Sequence, residues 1–353
     1  KIVGERARLI PVLAEGKVEQ RATSALLACL SSVEEFGRDL LASIGAPVQK
    51  RSRIICLTEV SFFKGDEKIV GSRPDGIIQI QNGQKTWTAL VEAKAGTQLL
   101  ESEQVERYVD IARTFELDSV ITISNEFSTR AAHHPVSISA NKLKKVSLLH
   151  WSWAAIVAKA VIHIANENIE DSDQTYILSE LIRFFEHPKS GLRDVPTMPK
   201  FWKPICLQIR KTGSCTKGTQ GVAEVVDSWQ QLTRSIALSM STNIGALVEI
   251  QLSRSHSNDP KARTAHDTSL LCGQGQFEDY FDIPDAADKV RMVADISARR
   301  LTASMTLNAP TDKSRATATV TWIRKQLDKC EQPDRVDIIA KWPGRTPDSP
   351  PCP

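Results

Sequence analysis

Two carboxylates and a lysine are spaced so that they could act together on one substrate atom. Asp75 precedes an apolar run at residues 77–80, and Glu92 and Lys94 end the apolar run that follows. Asn82-Gly83 separates the two runs and is a strong signal for a tight hairpin. An antiparallel hairpin brings the start of its first strand beside the end of its second, and residues two apart in a strand share a face. The sequence therefore predicts that these three side chains converge.

Such a cluster suits a magnesium-dependent phosphodiesterase. Two carboxylates on one patch repel each other unless a cation lies between them, and oxygen ligands suit Mg²⁺ or Mn²⁺. The bound ion activates a water and offsets charge on the reacting phosphate. A neighbouring lysine orients that water or stabilises the developing charge. The alternative is a metal-independent interaction protein, in which Lys94 simply pairs with Glu92 on a surface hairpin.

The motif resembles that of the PD-(D/E)xK nuclease superfamily, which has the restriction-endonuclease-like fold. Pro74 and Asp75 match the Pro-Asp of the family, and Glu92-Ala93-Lys94 matches its Glu-x-Lys. The resemblance covers roughly residues 20–165 and implies an α/β domain with an αβββαβ core.

A second motif lies on the helix predicted at about residues 99–115. Gln104 and Tyr108 are four residues apart and therefore lie on one helical face. This Gln-x-x-x-Tyr spacing resembles the additional motif of the RecB-like branch of the superfamily. The resemblance implies that the pair positions Lys94 or contacts the backbone phosphate.

The activity implied by the resemblance is Mg²⁺- or Mn²⁺-dependent hydrolysis of nucleic acid, with DNA favoured over RNA, in prokaryotic defence, repair or stress response. Asp75, Glu92 and the carbonyl of Ala93 would hold the metal, and Lys94 would assist the attacking water. A catalytically silent nuclease-fold module that binds nucleic acid or a partner protein is the alternative.

The first core helix of the superfamily often adds a glutamate to the site. Residues 18–43 read as one helix with apolar residues at helical spacing. Glu19, Glu34 and Glu35 are its candidate acids. We favour Glu19 because it lies in the turn that opens the helix.

A further acid interrupts the strand predicted at residues 54–63. By alternation, Glu59 shares a face with Ile55 and Leu57. Because an unpaired carboxylate is costly to bury, Glu59 is either a further acid of the metal site or an edge residue that faces water.

Basic side chains around the core are the candidate phosphate contacts, several of them after the strand predicted at residues 119–124. The residues predicted to bind nucleic acid are Arg73, Arg130, Lys142, Lys144 and Lys145. His133 and His134 are adjacent and would point apart on any regular element, so they indicate a polar loop rather than a metal pair.

The second half of the chain predicts a separate domain. The expected division is a nuclease-like domain at 1–185, a basic linker with Pro and Gly at 186–220, an α+β accessory domain at 221–342 and a disordered tail at 343–353. A helix at about residues 221–240 is followed by period-two patterns, which predict antiparallel strands near 248–252, 290–296, 301–307, 316–322 and 336–340. A second copy of the chain or a partner protein is expected to bind through this domain.

Composition sets outer bounds. The 353 residues carry a net charge of +3, which permits nucleic-acid binding without requiring it. The seven cysteines form no Cys-x-x-Cys pair, which argues against a zinc ribbon or an iron–sulfur cluster and favours reduced thiols in a cytoplasmic protein. The longest uncharged runs are too short and too polar to cross a bilayer, so no membrane partner is expected.

Overall fold

The computed structural model describes residues 1–14, 16–64, 67–68, 73–127, 134–192, 198–313, 315–328 and 330–339. The chain forms two compact units, residues 1–305 and residues 306–353. Both sheets lie in the first unit.

The described residues form both strands and helices. The strands are β1 (Ile2–Arg6), β2 (Arg53–Lys64), β3 (Glu67–Lys68), β4 (Gly76–Asn82), β5 (Lys85–Ala93), β6 (Ser119–Ser124), β7 (Ser147–Ser152), β8 (Glu249–Ile250), β9 (Gln276–Asp282), β10 (Val290–Asp295) and β11 (Arg300–Ser304). The helices are α1 (Val18–Ser32), α2 (Glu34–Ala42), α3 (Ser102–Thr114), α4 (Ala140–Leu143), α5 (Trp153–Ala165), α6 (Ser172–Glu186), α7 (Trp202–Thr212), α8 (Val222–Ile244), α9 (Arg254–Asn258), α10 (Pro260–Gln274) and α11 (Ala316–Gln326). Within the described ranges, no helix has the length and apolar composition needed to cross a membrane.

The larger sheet is mixed. Its strands pair in the order β1-β2-β4-β5-β6-β7, and the short β3 pairs with β2. The pairs among β1 to β5 are antiparallel, whereas β5, β6 and β7 run parallel. The expected α/β class is confirmed.

Helices cover both faces of this sheet, so its central strands are close to continuously apolar. Helices α1, α2, α5 and α6 pack on one face around Ile78, Val91 and Ile121. Helix α3 packs on the other face around Ile77 and Leu90. Consecutive residues of β4 therefore belong to different apolar clusters.

The helix predicted over residues 18–43 is in fact two helices, α1 and α2. The chain is extended at Val33, with φ −104° and ψ 95°, which ends α1. The start of α2 then lies so close to the end of α1 that a Cβ on Gly37 would come within 2.2 Å of the Leu30 carbonyl oxygen. The break is thus built around a glycine that the helical pattern does not reveal.

A β-bulge interrupts the alternation of β2. The β1–β2 register shifts opposite Glu59, which has a φ of +53°. Leu57 packs on the α3 side before the bulge, and Val60 and Phe62 pack on that side after it. Odd-numbered residues therefore face α3 before the bulge and even-numbered residues face it after the bulge. The alternation argument that placed Glu59 on the same face as Leu57 does not hold.

The second half of the chain contains an antiparallel sheet in the order β11-β10-β9-β8, as expected for an α+β region. Three of the predicted strands correspond to β8, β10 and β11. Strand β9 was missed, although its buried Phe277, Asp279 and Phe281 alternate with more exposed residues.

Two of the predicted strands are wrong. Residues 316–322 lie in α11, and residues 336–339 follow the 3₁₀ turn Pro333–Arg335 without forming a strand. Both lie in the unit of residues 306–353, whose described part contains no strand that could pair with them. A helix satisfies its own backbone hydrogen bonds, whereas a strand needs a neighbour.

The predicted linker contains regular structure. Helix α7 lies within residues 186–220 and buries Ile205 and Ile209, one turn apart. Pro204 is tolerated because it stands in the first turn, where no N–H partner is lost, and Gly213 ends the helix at a φ of 79°.

The two predicted domains are in direct contact within the first unit. Gln231 of α8 accepts a hydrogen bond from the Phe127 N–H at 2.6 Å and donates to the Phe127 carbonyl at 3.0 Å. Phe127 also packs with Ala158 of α5 and Leu238 of α8. The second sheet is therefore part of the compact unit that contains the first. All six cysteines within the described ranges are free, and four of them are buried.

Candidate active site

The β4–β5 hairpin brings the two acids of the motif together. The antiparallel register pairs Gly76 with Val91, which leaves Asp75 and Glu92 opposite each other at the next step. Asp75 Oδ2 accepts the backbone N–H of Ala93 at 2.8 Å, which fixes the carboxylate against the end of β5. The predicted convergence is observed.

A glycine is required where this hairpin enters the sheet. A Cβ on Gly76 would come within 2.3 Å of Leu27 Cδ1 in α1 and 2.9 Å of the Leu57 carbonyl oxygen. The absent side chain lets the strand that follows Asp75 approach both neighbours.

Glu92 is the most heavily contacted member of the cluster. Its Oε1 accepts from Lys94 Nζ at 2.9 Å and from Gln104 Nε2 at 2.6 Å. The Tyr108 hydroxyl also interacts with this carboxylate and lies 3.4 Å from the Arg73 carbonyl oxygen. The helix pair thus contacts the glutamate, whose Oε1 also accepts from Lys94. The expectation that the pair positions Lys94 or contacts the backbone phosphate stays a prediction.

The Lys94–Glu92 pair does not lie on the surface. The side chains are only 13% and 5% exposed, respectively. The alternative of a simple surface ion pair on a hairpin is therefore wrong.

Lys94 is held through its backbone as well as its side chain. Its N–H donates to the Ile123 carbonyl at 2.7 Å, and its carbonyl accepts from Trp153 Nε1 at 2.8 Å. The Trp153 ring is fully buried against Phe185. Sequence periodicity does not reveal this contact, although a buried indole N–H generally needs an acceptor.

Glu19 joins the cluster from the first turn of α1. Its Oε1 accepts the backbone N–H of Ala95 at 3.2 Å. The other two candidate glutamates lie further along the chain on α2, where Glu34 pairs with Arg38 and its N–H donates to Gln174. Of the three, Glu19 is the one that reaches the site.

The cluster contains more negative than positive charge. Burial, followed by the charge of Glu92, raises the pKa of Asp75 to about 7, although the Ala93 N–H and Lys94 act in the opposite direction. Burial also raises the pKa of Glu92, and Lys94 opposes that rise. For Lys94 itself, burial lowers the pKa, but the surrounding carboxylates outweigh burial and raise it above the usual value. The lysine is therefore an ammonium at neutral pH.

This excess of buried carboxylate suits a divalent cation. In the part of the chain that the structure describes, no group of three or more His, Cys, Asp or Glu side chains is arranged to hold a metal. Asp75 and Glu92, which face each other at the end of the hairpin, are the side chains that could hold a cation. Mg²⁺ is commonly bound in this way, by one or two carboxylates with waters and substrate phosphates filling the other positions.

A row of polar side chains continues from Glu92 across the sheet. The parallel register pairs Glu92 with Thr122 and Thr122 with His150, so the three residues lie on one face of neighbouring strands. His150 and Thr122 are almost completely buried. The row extends the polar site beneath α3.

The buried His150 and the half-buried His134 form a hydrogen-bonded chain through Thr122. Because the Glu126 carbonyl can only accept, His150 Nε2 donates to it at 2.8 Å, and His150 Nδ1 then accepts the Thr122 hydroxyl at 2.8 Å. Thr122 Oγ1 in turn accepts from His134 Nε2 at 2.7 Å, and the Val136 N–H donates to His134 Nδ1 at 2.9 Å. Both neutral rings are thus satisfied. Burial lowers the pKa of His134 to about 4 and that of His150 to about 3. His133 lies outside the described residues.

Two of the three lysines predicted to contact phosphate, Lys144 and Lys145, are distant from this cluster. Lys142 pairs with Glu106 of α3. Lys144 and Lys145 precede the first residue of β7, whereas Lys94 follows the last residue of β5. Since β5, β6 and β7 are parallel, the two lysines lie at the opposite end of the strands, an offset of about 20 Å at about 3.3 Å per residue. Parallel pairing, which the sequence pattern did not specify, separates them from the site.

Arg73 and Glu59 lie nearer to the acids. They form an ion pair and line a cavity of about 240 Å³ that Asp75 also lines. Glu59 is therefore a neighbour of the site through this cavity, paired with an arginine. Arg130 lies outside the described residues.

The chain has no significant match among protein-family models, curated proteins or solved structures. The resemblance to the nuclease superfamily thus depends on the motif residues and on their arrangement.

Proposed function

We propose that the protein is a Mg²⁺-dependent nuclease that hydrolyses phosphodiester bonds of nucleic acid, with DNA as the favoured substrate, on a restriction-endonuclease-like αβββαβ core. The observation that carries the proposal is the meeting of Asp75, Glu92 and Lys94 at the open end of one hairpin, with the Glu92 carboxylate held by Gln104. Mn²⁺ would serve in place of Mg²⁺ because its ligand preferences are similar. A role in prokaryotic defence, repair or stress response remains a proposal from the resemblance alone.

The metal would be held by Asp75 and Glu92, with the carbonyl of Ala93 as a third ligand. When bound, it would lower the pKa of a water and neutralise charge on the phosphate. The protein orients both ligands in advance: the Ala93 N–H holds the aspartate, and Gln104 and Tyr108 hold the glutamate. Such contacts behind a ligand reduce the freedom that metal binding would otherwise have to remove.

Lys94 acts as a hydrogen-bond donor and a positive charge. It can donate to the attacking water or to a phosphate oxygen as negative charge develops there. Trp153 holds the carbonyl of the same residue, so the lysine backbone is fixed while its side chain engages substrate.

Cleavage of mixed substrates tests the proposal. Plasmid, linear duplex, single-stranded DNA and RNA are incubated with Mg²⁺ or Mn²⁺ and the parent protein, Asp75→Asn or Lys94→Met. Lys85→Met is the matched control, because it removes an exposed lysine from the other end of the same strand. We expect metal-dependent cutting by the parent and the control, and none by the two site variants.

The same experiment separates the nuclease from a silent module. If no substrate is cut but nucleic acid still binds, and if that salt-sensitive binding survives both site substitutions, the enzyme proposal fails and a binding module is indicated.

A further inference from the structure

A wide basic cleft lies on the α1/α2 side of the larger sheet, and its part formed by residues 50–53 is at the end of the sheet remote from Asp75. Its volume is about 810 Å³. The basic residues that line it come from β1, α2 and the segment that enters β2, and they are Arg6, Arg38, Lys50, Arg51 and Arg53.

The positive charge in this cleft is largely uncompensated. Glu34 is the one acidic residue among those lining it, and it pairs with Arg38. Among the described residues, no carboxylate forms an ion pair with Arg6, Lys50, Arg51 or Arg53, and all four are exposed. Five cations around one paired anion attract an extended polyanion.

Two elements give the distance from this cleft to the candidate active site. In β2, Arg53 lines the cleft, whereas Thr58 pairs with the residue that follows Asp75, and five strand residues span about 17 Å. In α1, Glu19 reaches the site and Ser31 lines the cleft, and twelve helical residues span about 18 Å. Both estimates correspond to about five base pairs of a duplex that rises about 3.4 Å per pair.

We infer that the cleft binds backbone phosphates of the same nucleic acid that the active site cleaves, with its part at residues 50–53 offset along the strands by about five base pairs from the scissile phosphate. This inference rests on the proposed function. A mononucleotide is the less suitable occupant, because small-ligand pockets are usually mostly apolar. The lining here is mostly charged or hydroxyl-bearing, with Ala7, Leu30 and Ile54 as its apolar members.

The test compares two variants that each lose three exposed positive charges. The cleft variant is Lys50→Gln/Arg51→Gln/Arg53→Gln, and the control variant is Lys203→Gln/Arg210→Gln/Lys211→Gln on α7. Unfolding in urea establishes that both variants are folded. If the triple cleft variant does not fold, the single Arg51→Gln replaces it. Binding of a fluorescent duplex is measured in EDTA, where no cleavage occurs, over a range of salt concentrations.

We expect the cleft variant to bind the duplex at least about 10-fold more weakly at low salt, because three phosphate contacts are lost. The slope of log K against log salt should fall in magnitude by about 3, which is about 1 for each contact. The control variant should retain most of the affinity of the parent. Equal affinity and slope for the parent and the cleft variant would overturn the inference. Displacement of the duplex by stoichiometric ATP would also overturn it, because the cleft would then be a mononucleotide site.

Cleavage of a dinucleotide with Mg²⁺ distinguishes failure of this inference from failure of the proposed function. A dinucleotide is too short to reach the cleft, so the cleft variant should cut it at the rate of the parent. If neither protein cuts any substrate but duplex binding depends on the cleft, the cleft assignment stands and the nuclease proposal fails. If both cut the long duplex equally well and bind it equally, the nuclease stands and the cleft assignment fails.

Discussion

Acidification should destabilise the protein through the buried chain of His134, Thr122 and His150. Each ring is neutral in the folded state, with one nitrogen donating and the other accepting. An unfolded histidine has a pKa of about 6.5, whereas burial lowers the folded values to about 4 for His134 and about 3 for His150. The unfolded state therefore binds more protons in this range. Stability that is present above pH 6.5 is lost as the pH falls towards the folded values.

The size of the effect follows from the two pKa differences. At about pH 5 both rings are still neutral in the folded protein. This pH lies about 1.5 units below the pKa of an unfolded histidine, so each unfolded histidine is protonated. Each unit is worth about 1.4 kcal/mol, so each histidine lowers the free energy of unfolding by about 2 kcal/mol, and the pair by about 4 kcal/mol. That is a large fraction of the stability of an ordinary domain.

Urea unfolding of the parent and of His134→Gln/His150→Gln at about pH 7.5 and about pH 5 measures the effect. Glutamine keeps an N–H donor near each Nε2 and cannot be protonated. We expect the loss between the two pH values to be smaller in the double variant by about 4 kcal/mol, because all other titrating groups are common to both proteins. His256→Gln/His266→Gln controls for the removal of two histidines. An equal loss in the parent and the double variant would show that the buried rings are not held neutral.

Three further predictions concern the candidate active site. Asp75→Asn keeps an acceptor for the Ala93 N–H but loses a proposed metal ligand, so saturating Mg²⁺ should stabilise the parent against urea by about 2–3 kcal/mol and leave the variant unchanged. Gln104→Leu removes a donor from Glu92, the glutamate proposed to bind the metal, and cleavage should fall about 10- to 100-fold in kcat at saturating substrate. Trp153→Phe leaves the Lys94 carbonyl without its partner and should lower the free energy of unfolding by about 1–3 kcal/mol more than Trp151→Phe, since the Trp151 indole N–H has no hydrogen-bond partner in the described structure.

The central part of the site was predictable because it is local. Asp75 and Glu92 belong to one hairpin whose turn is signalled by Asn82-Gly83, and hairpin register follows from the turn. Once the register is known, the pairing of Gly76 with Val91 places both acids on one face. The α/β class followed similarly from strands and helices with clear periodicity.

Contacts between distant segments were not predictable from periodicity. Trp153 donates a hydrogen bond to the Lys94 carbonyl, 59 residues away in the sequence. Glu19 accepts the Ala95 N–H, 76 residues away. Each contact depends on where a helix begins relative to the end of a strand, and sequence patterns define such boundaries poorly. Glu59 illustrates a different difficulty, because one inserted residue in β2 reverses every later side chain.

The errors in the second half have a common cause. A period-two pattern shows which residues of a segment would share a face, but it does not show that a neighbouring strand exists. Residues 290–296 have neighbours on both sides and form β10. Residues 316–322 have a similar pattern and form part of a helix.

The end of β5 explains how one small cluster can be both polar and rigid. Four successive backbone N–H groups, those of residues 93–96, each donate to a different part of the fold: Asp75 before β4, Ile123 in β6, Glu19 in α1 and Gly191 after α6. Two of the four acceptors are the carboxylates of the site, so the backbone that carries Lys94 also orients the acids beside it. A catalytic group attached to such a segment loses little freedom when substrate binds, because folding has already fixed it. The same contacts offset the repulsion between the acids, which are held by N–H donors and one ammonium. A cation would replace repulsion between the carboxylates by attraction to both.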